Sequence, residues 1–326
     1  MILIIADKDD THADAVIECL RKCNVRFFRL NVDVESLRET WLTRNNLGWN
    51  LRSRAGSLEL DSVCSVWCRK ASVHIDSSFR DTEDNGFRIW RGEWNRALFG
   101  MYNYLSNVYW LNSLRNATLA DNKFYQSIAA SSVDLNYPDF LTSNDKEQLD
   151  GFIRRHGDVV IKFLSQDMYE VDGEMKGIYV NKIKEKDINA FENIGENPIT
   201  LQRYIDKKFE VRYTFVGGEH FVCRIDSQLS RRASIDWRRY DLKNTPHTII
   251  DPSEEIKQKV CALMGYLSLD YGALDFIVDK FDNWWFLEVN STGQWLWIED
   301  LCGLNISDAI AMRLVYGGRD SLRSGR

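Results

Sequence analysis

GALDFIVDKFDNWWFLEVN, residues 272 to 290, constrains the fold more than any other stretch of this chain. Two runs rich in β-branched and aromatic residues, separated by a short polar turn, read as an antiparallel hairpin. Successive side chains on a strand point to opposite faces, so Glu288 and Asn290 share one face while Leu287 and Val289 share the other. Asp275, on the preceding strand, can lie opposite the 288/290 face. Three oxygen-bearing side chains thus meet on one side of an apolar hairpin. The plain reading is a sheet edge with its polar face in water. The sharper one is a seat for a hard cation such as Mg²⁺, which prefers oxygen ligands and often accompanies phosphates.

The rest of the chain supplies a frame. MILII, ADKDDTHADAVIECLRKCN and VRFFRLN read as strand, helix, strand, with Ala13, Val16, Ile17, Leu20 and Cys23 at helical spacing. Further strands are expected at WNLRSR, SLELD, SVCSVWC and NVYWLN, with an amphipathic helix from about Arg88 to Leu105. Residues 1–115 are therefore predicted to be a small α/β domain with an open, mostly parallel sheet. Asp7, Asp9 and Asp10 after the first strand also suggest a phosphate-receiver domain, but no Asp ends a third strand. After a loop, a helix should start near Asp121 or Asn122, both good N-cap types. An extended DLNYPDFLTSN, a short helix in DKEQLDGFIRRHG and the strand GDVVIKFL follow. Two strands around a glycine turn (Gly173 to Gly177) and a helix at Lys186 to Phe191 come next. Antiparallel strands ITLQRYI, FEVRYTFVGG and EHFVCRID, a helix in SEEIKQKVCALMGYLSL and the hairpin complete an α+β remainder, divided as 116–200 and 201–326. The Gly/Arg/Ser tail is expected to be mobile.

Several side chains gain meaning beside a cation seat. Lys162 on its strand and Lys123 at a helix start are point charges suited to phosphate oxygens, although a strand lysine also commonly snorkels to water. The strand ending at Gln202, Tyr204 and Ile205 can offer backbone groups to an adenine edge, and Glu210 can accept from ribose hydroxyls.

The order Lys123, Lys162, LQRYI, Glu210-x-Arg212, Asp275, Glu288-x-Asn290 resembles the ATP-grasp ligases over about residues 116 to 300, with the N-terminal α/β domain resembling the family's preceding (pre-ATP-grasp) domain. EVNSTGQWLWIED, VWCRK and DNKFYQSIAASS are similar to the microviridin type, the graspetide synthetases. The resemblance implies an ATP-grasp fold, ATP and Mg²⁺ as cofactors, and a precursor peptide with a leader and an acidic core as partner. It implies that Asp or Glu side chains of the peptide are phosphorylated and then closed into esters or amides by Ser, Thr or Lys side chains. Lys123 and Lys162 would hold phosphates; Asp275, Glu288 and Asn290 the metal; Arg212 and Arg224 the charge developed at the reacting centre. Residues 171–191 would dock the leader, and the Gly173–Gly177 hairpin would cover the site. Arg203 stands where relatives often carry an acidic residue, and Ser291 where many carry proline. Relatives form homodimers, but no interface is visible in the sequence. A carboxylate–amine ligase for a free amino acid or small amine and a non-catalytic nucleotide or peptide binder remain alternatives.

Composition excludes other classes. A net charge of −6 argues against nonspecific nucleic-acid binding. Arg224, Arg231, Arg232, Arg238 and Arg239 form a local basic loop suited to an anionic peptide, against a plain solvated loop. The seven cysteines contain no C-x-x-C pair, the five histidines show no ligand spacing, and the apolar N-terminal run is too short for a signal or a membrane span. A cytoplasmic protein, away from membranes, is expected. Trp295 and Trp297 are expected in the core or the wall of a cleft.

Overall fold

A computed structural model describes residues 1–75, 84–162, 164, 168–171, 174–177, 181–183, 197–229 and 245–324. The opening strand Ile2–Ala6, helix Thr11–Lys22 and strand Phe27–Asn31 form as their spacing predicts. The strands pair in parallel, in the order Phe27–Asn31, Ile2–Ala6, Ser65–Cys68, Tyr109–Trp110. Alternation sends Leu3 and Ile5 to one side, against Leu98, Met101 and Tyr102 of helix Asn85–Tyr104. Ile2 and Ile4 face the other side, where Ile298, Ile306, Ile310 and Leu314 from the end of the chain pack on them. Each such burial contributes about 1.5–3 kcal/mol, so the chain's two ends share one core.

Strands Trp41–Asn45, Gly48–Ser53 and Gly56–Glu59 make a separate antiparallel meander. A four-stranded antiparallel sheet follows, ordered Asn181–Ile183, Val159–Lys162, Ile199–Arg203, Phe140–Ser143. The last sheet has five antiparallel strands: His247–Ile249, Glu219–Ile225, Lys207–Val216, Tyr271–Asp279 and Trp284–Asn290. Its apolar face packs Tyr213, Phe276, Phe286 and Val289 against Ala129 and Ala130 of helix Lys123–Ser132 and Val260 and Leu263 of helix Glu254–Tyr266.

Four expectations change. The segment before Asp121, read as loop, contains helix Leu114–Ala120, capped by Ser113. The tail read as mobile continues helix Ile306–Ser324. Its glycine has a packing reason, because a Cβ at Gly317 would lie 2.4 Å from the Tyr109 ring. In the terminal hairpin a bulge shifts the register after Asp275, so Phe276 lies opposite Phe286 and Asp275 opposite Glu288. Strict alternation would pair Leu287 with Val289 on the apolar face; the extra residue puts the fully buried Phe286 there instead. A two-stranded hairpin is present there, Met168–Val171 against Glu174–Gly177, so Glu174–Gly177, read as part of the turn, is strand. The helix expected at Lys186 to Phe191 lies outside the described residues. Among the described residues no helix is long and apolar enough to cross a membrane.

Candidate active site

Across the polar face of the five-stranded sheet, Arg212 lies opposite Asp275 and Asp275 opposite Glu288, while Asn290 lies beside Ala273 one step further along. The side chains confirm the row. Arg212 Nη1 donates to Asp275 Oδ1 at 3.0 Å, and Lys123 Nζ meets Glu288 Oε2 at 2.6 Å. Asn290 Nδ2 donates to Glu288 Oε1 at 3.3 Å. Burial works against the Arg212 charge, but Asp275, Tyr271 and Glu288 outweigh it and hold the guanidinium firmly protonated.

Lys123 reaches Glu288 because its helix is fastened to that strand. Asn122 caps the helix, accepting from the N–H groups of Phe124 and Tyr125 at 3.0 Å each. One turn on, the fully buried Gln126 treats Val289 as a strand neighbour would: Nε2 donates to the Val289 carbonyl at 2.8 Å, and Oε1 accepts from its N–H at 2.9 Å. Sequence reasoning passed over Gln126, since a helical glutamine carries no pattern that announces such a bond.

Lys162 ends its strand on the neighbouring four-stranded sheet, opposite Thr200. Gln202 and Ile205 are buried. Tyr204 is partly buried, with Lys182 Nζ 4.0 Å above its ring. The expected row of backbone groups is partly taken, because Arg203 N–H donates to the Asp139 carbonyl at 2.8 Å and Tyr204 N–H to that of Asp158 at 3.0 Å. Tyr137 links the two sheets: burial, then the charge of Glu288, pushes its hydroxyl up to about 12, and it hydrogen-bonds with Gln202.

Glu210 shares the polar face, bound to Lys207 Nζ at 2.8 Å and to the Ser227 hydroxyl. In a regular strand residues 207 and 210 would face opposite ways; a register shift between Lys207 and Phe209 brings them together, which hid Lys207 from the sequence. Arg224 is not brought to the row. It lies opposite Val211, on the apolar face, with its guanidinium 4.2 Å over the Phe209 ring and bonded to Asp226 at 2.6 and 2.8 Å. Arg231, Arg232, Arg238 and Arg239 lie outside the described residues. Trp295 is fully buried, in the core as expected.

The residues present suit Mg²⁺ by their chemistry. Asp275, Glu288 and Asn290 offer only hard oxygen donors, and Lys123 and Arg212 balance the two carboxylates. The set relies on the carboxamide, since no group of three or more His, Cys, Asp or Glu able to hold a metal occurs among the described residues.

Comparison with known proteins bears on the fold. Residues 1–118 match the family model described as the MvdD pre-ATP grasp domain. A RiPP-associated ATP-grasp ligase of Chryseobacterium gregarium, solved with ADP and a leader and core peptide, is 27% identical, with a TM-score of 0.87 over 96% of each chain. The macrocyclase MdnC of Microcystis aeruginosa MRC, bound to its precursor peptide MdnA, is 28% identical, with a TM-score of 0.84 over 97% of this chain and 99% of that one. The ATP-grasp ligase PsnB, solved with a precursor variant, Mg and ADP, shares the fold at 18% identity, with a TM-score of 0.75 over 97% and 98% of the two chains. The comparison with curated proteins gave no match. The fold is that of the ATP-grasp ligases, with a pre-ATP-grasp domain in front.

Proposed function

Taking as premise an ATP-grasp ligase of the peptide-macrocyclase type, we propose that this chain activates Asp or Glu side chains of a ribosomally made precursor peptide and joins them to Ser, Thr or Lys side chains of the same peptide. The observation that carries this reading is the row Arg212, Asp275, Glu288, Asn290 with Lys123 against it, which sets oxygen donors and cations where phosphates would lie. We take the chain as three units, residues 1–115, 116–200 and 201–326, working in the cytoplasm.

The peptide carboxylate attacks the γ-phosphorus of ATP, giving an acyl phosphate and ADP. The hydroxyl or amine then adds to the carbonyl carbon, phosphate leaves, and the nucleophile's proton passes to phosphate or water. Mg²⁺, held by Asp275, Glu288 and Asn290, would supply charge neutralisation on the phosphates. Lys162 and Lys123 act as point charges for phosphate oxygens, Lys123 exchanging part of its bond to Glu288 for them. Arg212, fixed at two points, offers a preorganised charge to the reacting centre. An adenine edge would be read from the Tyr204 carbonyl onward, and Glu210, freed in part from Lys207, would accept from ribose.

Incubating the protein with ATP, Mg²⁺ and a small acidic precursor peptide that carries Asp or Glu and Ser, Thr or Lys side chains tests this by mass spectrometry. Loss of one water per link within the peptide is the expected result, with base hydrolysis reversing esters and sparing amides. Addition of a second molecule's mass when free amines are supplied would replace this reading with an amine ligase, and unchanged mass with a non-catalytic binder.

A further inference from the structure

Directly after Asn290 the chain leaves its ladder, and the next four carbonyls would lack strand partners. Each instead accepts a hydrogen bond from a side chain. Asn112 Nδ2 donates to the Ser291 carbonyl at 3.1 Å, Arg69 Nη1 to Thr292 at 3.3 Å, the Tyr271 hydroxyl to Gly293 at 2.7 Å and Arg212 Nη2 to Gln294 at 2.9 Å. The loop is drawn so close to the sheet that a Cβ at Gly293 would sit 2.5 Å from Ala273 Cβ and 3.1 Å from Arg212 Nη2. Tyr271 and Arg212 belong to the sheet itself. Arg69 and Asn112 come from the N-terminal half.

Arg69 is built as a strut. It follows strand Ser65–Cys68, and its Nε donates to Asp10 Oδ2 at 2.7 Å, both side chains being less than a tenth exposed. The other oxygen of Asp10 caps helix Thr11–Lys22 by accepting from Ala13 N–H at 3.1 Å. The guanidinium lies 5.5 Å from the Trp67 ring and 5.2 Å from the Trp295 ring. In the parallel sheet, strands Ile2–Ala6 and Ser65–Cys68 are the neighbours between which the strand order reverses, and their carboxyl ends flank the crevice where such sheets usually receive a ligand. Here that crevice carries the Asp10–Arg69 pair, aimed at Thr292.

We propose that Arg69, held by Asp10, is a positioning residue: it transmits the N-terminal domain's rigidity to the Ser291–Gln294 loop, and through it sets Asn290 and the second amino group of Arg212. A planar, rigid fork can bond Asp10 and Thr292 at once from a fixed place beside two indoles, which a lysine's single ammonium does not reproduce.

Hydrogen–deuterium exchange of the segment 289–297 in Arg69→Ala tests the strut without any turnover. Faster exchange there, with helix Thr11–Lys22 unchanged, is expected. Unchanged exchange in the loop would overturn the proposal. Asp10→Asn keeps an N-cap but weakens the hold on Arg69, so it should show the same change to a smaller degree, and it serves if Arg69→Ala does not fold. The kinetic arm rests on the ligase reading. There kcat should fall on the order of tenfold or more, as sub-ångström misplacement of reacting groups costs, with KM for the peptide unchanged and Arg69→Lys recovering only part. A raised peptide KM with kcat intact would overturn the proposal by making Arg69 a substrate contact. A wild-type protein that makes no cross-links, yet whose loop loosens in Arg69→Ala, would sink the ligase reading and leave the strut standing.

Discussion

The two faces of the five-stranded sheet use one alternation for opposite ends. On one face Tyr213, Phe276, Phe286 and Val289 are buried against two helices, and the contribution is nonspecific apolar area. On the other, Arg212, Asp275, Glu210 and Lys207 are also almost buried, but they survive there because each is bonded to an opposite charge. Buried apolar side chains tolerate change in proportion to the volume lost. Buried ion pairs tolerate the loss of one partner badly, since the other charge stays behind without water.

Asp275→Ala should therefore show the largest effect. Turnover disappears, and the abandoned Arg212 guanidinium costs about 3–5 kcal/mol of stability, measured by urea denaturation. A folded, active, fully stable Asp275→Ala protein would erase the contrast between the faces. Phe286→Ala should cost a similar or slightly smaller amount, about 3–4 kcal/mol, while the protein that remains folded keeps its affinity for an ATP analogue. Glu288→Gln should abolish turnover with a small change in denaturation midpoint, because Glu288 is only partly buried and Lys123 can return to water.

Next comes His12, buried against Trp295 with its ring centroid 4.3 Å away. Burial, then the Arg69 charge, lowers its pKa to about 4, with Asp10 opposing and Arg212 adding. Its folded pKa lies below the unfolded value of 6.5, so between those two values the unfolded chain binds the extra proton. Stability thus falls as pH drops through that window, by up to about 3 kcal/mol, and His12→Gln should flatten this part of a pH–stability curve. The smallest effect is expected at Lys162→Ala. It stands on the other sheet, and its loss should weaken binding of a non-hydrolysable ATP analogue by on the order of tenfold, read by calorimetry, with stability nearly unchanged.

Much of this was legible beforehand. The hairpin was readable because its period of two is a local property of the backbone, and the same holds for the strand–helix–strand opening and the capped helix at Asn122. The site residues were legible where a strand stays regular, as at Glu288 and Asn290. Where a bulge intervenes the pattern misleads: it predicts Leu287 rather than Phe286 in the core and hides the pairing of Lys207 with Glu210. Arg224 illustrates a further limit, since a residue near a site in sequence can stand on the opposite face of the sheet. Gln126 and Arg69 were illegible for another reason: both act on backbone groups more than 160 residues away.

By itself, then, the sequence determined the elements, their apolar faces and the inventory of oxygens and cations, because propensity and side-chain alternation act over a few residues. Only the tertiary structure decided which charges neutralise one another, which strand residues are bulged, and that the loop after Asn290 is held from the N-terminal domain. Those choices depend on hydrogen-bonding groups that must all be satisfied once water is excluded, and which groups meet is settled by packing between distant segments.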